Sequence, residues 1–129
     1  MEYSGFGGFD AMLPGLITEG VHRRGLSLPR LAALTAGNAA KIMGLSHRKG
    51  SLMPGCDADI VVVDMDEEWI FDGEKSLSKT KSVHNIYHGA HMKGRVKQTW
   101  VRGRPVYRDG EILVEEGYGS YIPKQGKGE

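Results

Sequence analysis

Arg48-Lys49-Gly50-Ser51-Leu52-Met53-Pro54-Gly55-Cys56-Asp57-Ala58-Asp59-Ile60-Val61-Val62-Val63-Asp64 separates a helical-looking first third from a remainder rich in strands and turns. Pro54-Gly55 punctuates a turn-rich approach. It delivers the chain into Ile60, Val61, Val62 and Val63, flanked by Asp59 and Asp64. Four consecutive β-branched residues suit a strand buried on both faces better than a helix, whose interior they disfavour.

Upstream, Ser4-Gly5-Phe6-Gly7-Gly8-Phe9 reads as a loop, because its glycines open backbone conformations closed to other residues. Asp10 stands at a helix N-cap position ahead of Ala11, Met12, Leu13, Leu16 and Ile17, whose spacing predicts one apolar face. Pro14 and Gly15 argue against this helix, although proline is tolerated in a first turn. Ser27-Leu28-Pro29 predicts a second helix start, with Leu31, Ala32 and Leu34 on one side and Gly37 as its end. Asn38 then caps a third short helix that Gly44 terminates.

Downstream, Glu68-Trp69-Ile70-Phe71-Asp72 reads as a partner strand in a hairpin with residues 60–63. Residues 73–94 are polar and irregular and read as a long loop. Arg95 to Arg102 alternates well enough for a strand. Gly103-Arg104 turns the chain into Pro105-Val106-Tyr107-Arg108, and Asp109-Gly110 is a hairpin signal before Glu111-Ile112-Leu113-Val114, so a three-strand meander is expected. Residues 124–129 read as a frayed tail. The fold class expected is α+β.

At 129 residues the chain has room for one modest domain, and too little for a complete (β/α)8 barrel of about 250 residues. Seventeen Lys and Arg against sixteen Asp and Glu leave no basic field for nucleic acid or an anionic membrane. Cys56 is the single cysteine, which excludes an intrachain disulfide and a multi-cysteine zinc site. With no apolar run of membrane-spanning length and no basic, apolar leader at Met1, the expectation is a soluble cytoplasmic protein.

Two groups invite a chemical reading. His84, His88 and His91 form H-x3-H-x2-H, a pattern whose imidazoles suit zinc, set against a reading as loop histidines. Asp57, Asp59, Asp64 and Asp66 could work as acid and base or hold a hard cation; capping turns and ending strands is the plainer role. Cys56 has no nucleophile pattern around it and reads as structural. G-x-S-x-G, H-E-x-x-H and C-x-x-C are absent from the sequence.

The central stretch, K-G-S-x-x-x-G-x-D-A-D-x-V-V-V-D, resembles the segment by which cyclic amidohydrolases leave their catalytic barrel and enter a small β-sandwich. These are the dihydroorotase, allantoinase and hydantoinase group. S-G-F-G-G-F-D-A-M-L-P is similar to the family's S-G-x-x-G-x-E-x-x-L-P, with Asp10 in place of the usual Glu or Gln. L-S-L-P-R-L-A-A-L-T-A-G-N-A-A-K-I-M-G-L resembles its paired helices, with Ala39 where proline is usual. G-R-V-K-Q-T-W-V-R-G-R-P-V-Y-R-D-G-E resembles the closing strands, and G-Y-G-S-Y-I the terminal G-x-G-x-x-L.

The resemblance implies the last helices of a barrel over 1–47, a β-sandwich segment over 48–123 and a flexible tail over 124–129. It implies that backbone groups of Gly5, Phe6, Gly7 and Gly8 face a cyclic amide substrate. It also implies zinc or another divalent metal in the complete enzyme, hydrolysing a ring C–N bond. The family's ligands are an H-x-H, a carboxylated lysine, two further histidines and an aspartate; all are expected before Met1, so no catalytic or metal residue is carried over. Residues 93–96 and Thr99 lean toward allantoinase or dihydroorotase. The chain alone is expected to be inactive, with the missing barrel portion or a second copy as its partner. The alternative is a non-catalytic binding or assembly module derived from that family.

Overall fold

Two long helical stretches, a short 3-10 helix (Gly73–Lys75) and four strands make up the computed structural model, which describes residues 8–79 and 86–123. Contacts group the chain into two compact units, one of residues 1–26 with 64–95 and one of residues 27–63 with 96–129. The opening loop over 1–7, His84 and the 124–129 tail lie outside the described residues.

In the first unit, α1 (Phe9–Gly15) runs without a break into a wider π-helical segment (Leu16–Arg23). Pro14 sits inside α1 rather than ending it. The Thr18 hydroxyl lies 2.8 Å from the Pro14 carbonyl, a back-bond of the kind that bends helices. Asp10 is not the N-cap: Gly8 holds that place, and the Asp10 carboxylate instead receives the Ser76 hydroxyl. The helix ends at Gly25, whose φ of 69° lets its N–H reach the Val21 carbonyl at 3.1 Å. Ala11, Phe71 and Met92 form the core of this unit, with Trp69, Tyr87 and Ala90 packed against them.

In the second unit, α2 (Leu28–Ala32), a π-helical segment (Ala33–Gly37) and α3 (Asn38–Ile42) form one continuous helical stretch. Gly37 does not terminate it, because its φ and ψ of −60° and −47° are helical. The tight packing here is at Gly50, where φ is 83° and an added Cβ would fall 2.6 Å from the Ala40 Cβ and 3.2 Å from the Gly37 Cα. Gly44 ends the stretch as expected. With φ at 69°, it lets Leu45 N–H bond the Ala40 carbonyl at 2.8 Å while its own N–H bonds Lys41 at 3.1 Å, a Schellman arrangement.

The strands β1 (Ile60–Ile70), β2 (His91–Val101), β3 (Arg104–Arg108) and β4 (Glu111–Ile112) pair in that order in one sheet. The expected hairpin between residues 60–63 and 68–72 is replaced by a single strand that carries residues 60–70, with Phe71 and Asp72 just beyond its end. Asp64 sits within it and accepts the N–H groups of Asp66 and Glu67, at 3.0 and 3.1 Å, which accommodates the acidic middle of the strand. Pairing with β2 decides the outcome. β2 begins at His91, so the end of the expected 73–94 loop is strand; Phe71 N–H reaches Ala90 O, and Gly103 N–H reaches Ala58 O, both at 2.9 Å.

Double-sided burial of residues 60–63 is not observed, since Val61 and Val62 are 48% and 43% exposed. From Val63 on, β1 alternates between half-buried and exposed positions, as expected for a sheet covered on one face. The β2–β3–β4 meander matches expectation. Arg102-Gly103 and Asp109-Gly110 are its two-residue turns, and all four residues have positive φ, as type I′ turns require. The register slips between Thr99 and Trp100, opposite Pro105, a position where proline's missing N–H is tolerated. Among the described residues no helix is long and apolar enough to cross a membrane.

Candidate functional site

The loop expected to face substrate is described only at its last residue, Gly8; Gly5, Phe6 and Gly7 lie outside the described residues. Gly8 carries the first bond of α1, its carbonyl accepting Ala11 N–H at 3.2 Å. Within the first turn, Asp10 is tied to the buried Ser76, so the helix that follows the loop is pinned at its start. Thr18, also buried, accepts Lys93 N–H at 2.9 Å and fixes the middle of the same helix against β2.

Of the three histidines, His88 and His91 are described. His88 Nδ1 accepts the Gly73 N–H at 3.1 Å and lies 3.7 Å from Asp72, while His91 is exposed at the start of β2. His84 is outside the described residues. Three of the four aspartates, Asp57, Asp59 and Asp64, have engaged carboxylates. Arg48 meets both oxygens of Asp57 at 3.1 and 2.9 Å, and Lys49 bridges Asp57, at 2.8 Å, and Asp59. The hydrogen bonds from Lys49, then Arg48, hold the Asp57 carboxyl below the usual carboxylate range. Partial burial works against the Lys49 charge, yet bonding to Asp57 and Asp59 outweighs it and raises its pKa. Asp64 serves its own strand, the plainer role expected of it.

Two aromatic anchors carry no motif that sequence reasoning could find. Arg95 lies 4.9 Å from the Trp69 ring centre and pairs with Glu67 at 2.8 Å, while Trp69 donates to the Gly94 carbonyl at 3.2 Å. Arg102 and Arg104 lie 4.8 and 5.2 Å from the Tyr118 ring centre, beside a groove of about 680 Å3 bordered by Arg104 and residues 112–118. The available signal was indirect: alternation along β1 and β2 places Trp69 and Arg95 on paired strands, but their match depends on register.

Residues 15–107 match the model of the amidohydrolase family. The chain belongs to that family. It is 34% identical over 120 residues to the L-hydantoinase of Paenarthrobacter aurescens, covering 92% of this chain and 25% of that one. It is 38% identical over 122 residues to the allantoinase of Solibacter usitatus, covering 95% and 26%. The solved L-hydantoinase (dihydropyrimidinase) from Arthrobacter aurescens superposes with a TM-score of 0.75 at 35% identity, covering 84% of this chain and 24% of that one. This amidohydrolase chain therefore spans about a quarter of the length of the curated relatives it matches, and the identities do not separate hydantoinase from allantoinase.

Members of the family are generally metal-dependent. The described residues do not fit a metal of that kind. No three of their His, Cys, Asp and Glu side chains converge, and Asp57 and Asp59 are already held by cationic side chains.

Proposed function

We propose that this chain is the C-terminal portion of a cyclic amidohydrolase that opens a ring C–N bond with a divalent metal, allantoin-like or dihydroorotate-like rings being its substrate class. Residues 1–47 are its last barrel helices and 48–123 part of its small β-sandwich. The observation that carries the reading is the mismatch of coverage: more than nine-tenths of this chain aligns to about a quarter of the L-hydantoinase and of the allantoinase. The order of motifs, substrate loop, paired helices and then closing strands, supports placement at the end. Residues 5–8 present backbone groups to substrate, a role supported by the motif they share with the family and by the helix after them, whose start is tied by Asp10 to Ser76.

On this reading the chain alone does not hydrolyse. The purified 129-residue protein, supplied with zinc and offered allantoin, dihydroorotate or hydantoin, is expected to give no turnover above buffer. Turnover that a chelator abolishes would overturn the proposal. The large apolar side chains left exposed, Phe9 and Ile42 among them, favour a second reading, a module that assembles with a partner or with itself. An antibody against the chain, applied to its source cells, separates the two: a band with room for a barrel of about 250 further residues supports the first, and one near 14.1 kDa the second.

A further inference from the structure

The Asp57-Ala58-Asp59 signature sits between three neighbours in the second unit. Lys49, from the turn after α3, bridges the two carboxylates. The other oxygen of Asp59 accepts the Arg102 N–H at 2.9 Å, and the Ala58 carbonyl accepts the Gly103 N–H at 2.9 Å. Those two amides belong to the β2–β3 turn, where Arg102 has a φ of 51°, a conformation uncommon for a residue with a side chain. Beyond the turn, the Arg102 guanidinium donates to the Tyr118 carbonyl at 3.0 Å, and the Tyr118 hydroxyl donates to the Val101 carbonyl at 3.0 Å.

We propose that Lys49, Asp59 and Arg102 form a strap that holds the β2–β3 turn in its left-handed conformation and, through Tyr118, fastens residues 113–121 to that turn. The physical case is the direction of each bond. A carboxylate accepting from the N–H of a left-handed residue offsets the cost of that conformation, and it can do so only while its own position is fixed. Lys49 fixes it. The turn in turn aims Arg102 over the Tyr118 ring, so one ionic contact organises two segments more than forty residues downstream. This role needs no ligand and stands apart from the hydrolase reading.

Amide hydrogen exchange in the full polypeptide that carries this sequence tests it. Asp59→Ala is expected to speed exchange about tenfold or more in peptides covering 100–103 and 115–121, the loss of one charge-assisted bond. Peptides of the 28–42 helical stretch should stay at the wild-type rate. Lys75→Met, which removes an exposed pair with Asp72, should leave every one of these peptides unchanged. Wild-type exchange in Asp59→Ala, or a uniform acceleration that includes the helix, would overturn the strap. If Asp59→Ala does not fold, Lys49→Met leaves the Asp59 carboxylate in place but unfixed, loosening its bond to the Arg102 N–H, and should give a smaller acceleration in the same two peptides; its absence there would be equally fatal.

Discussion

Lys49 and Asp57 each have a pKa that the fold shifts, and the directions define a pH window. The Asp57 carboxyl titrates below its ordinary value of 3.8, so its contribution is present above that value and is lost as pH falls through the lower, folded one. Lys49 titrates above 10.5, so its contribution is complete below that value and is lost as pH rises through the higher one. The gap in urea midpoint between wild type and Asp57→Asn should therefore hold steady from about pH 5 to pH 9, and close only well below pH 3.8. A gap that closes around neutral pH would mean that some other group sets it. Both residues belong to the stretch on which the sequence reading turned, yet that reading saw only turn formers and strand ends. Which cation meets which carboxylate depends on a chain reversal of about ten residues, and no periodicity encodes that.

At the scale of elements, the helix of the first unit rests on β2 through a contact that tolerates no added atom. A Cβ on Gly94 would lie 2.5 Å from Cγ2 of Ile17, a side chain only 1% exposed, and Gly94 itself has a φ of 102°. Gly94→Ala should cost about 2–4 kcal/mol, the sum of an unfavourable backbone region and an overpacked core, read as a lowered denaturation midpoint. An unchanged midpoint would mean that helix and strand separate easily.

Gly94 also marks where legibility ended. The meander was readable because Asp109-Gly110 and the Arg102-Gly103 region are short-range signals between apolar runs. Gly44 was readable because a terminating glycine acts within its own helix. Gly37 reads as a helix end but keeps helical dihedrals, while Gly94 reads as loop because it is small for the sake of a partner distant in sequence, Ile17. The start of β2 and the continuity of β1 were missed for the same reason: tertiary pairing overrode local appearance. Of the site, the helix after the loop is legible from its motif, whereas the Asp10 to Ser76 tie spans 66 residues and is not.

For the whole molecule, the deciding quantity is the apolar surface that no described element covers. Leu52 is 73% exposed, Ile42 79% and Phe9 89%, and Val61 and Val62 stand open where the sequence led one to expect burial on both faces. A run of four β-branched residues is the composition of an interior strand, so its exposure argues that a further layer belongs against it. Hydrophobic surface of this kind drives association when its natural cover is missing. Light scattering after size exclusion should therefore report a mass above 14.1 kDa that grows with loading concentration, together with binding of an apolar fluorescent dye. Co-expression with the barrel portion of a related amidohydrolase should suppress both signals if the barrel supplies that cover. A single 14.1 kDa species that binds no dye would instead make the exposed strand a genuine outer surface, and would take away the physical reason for placing this chain inside a larger enzyme.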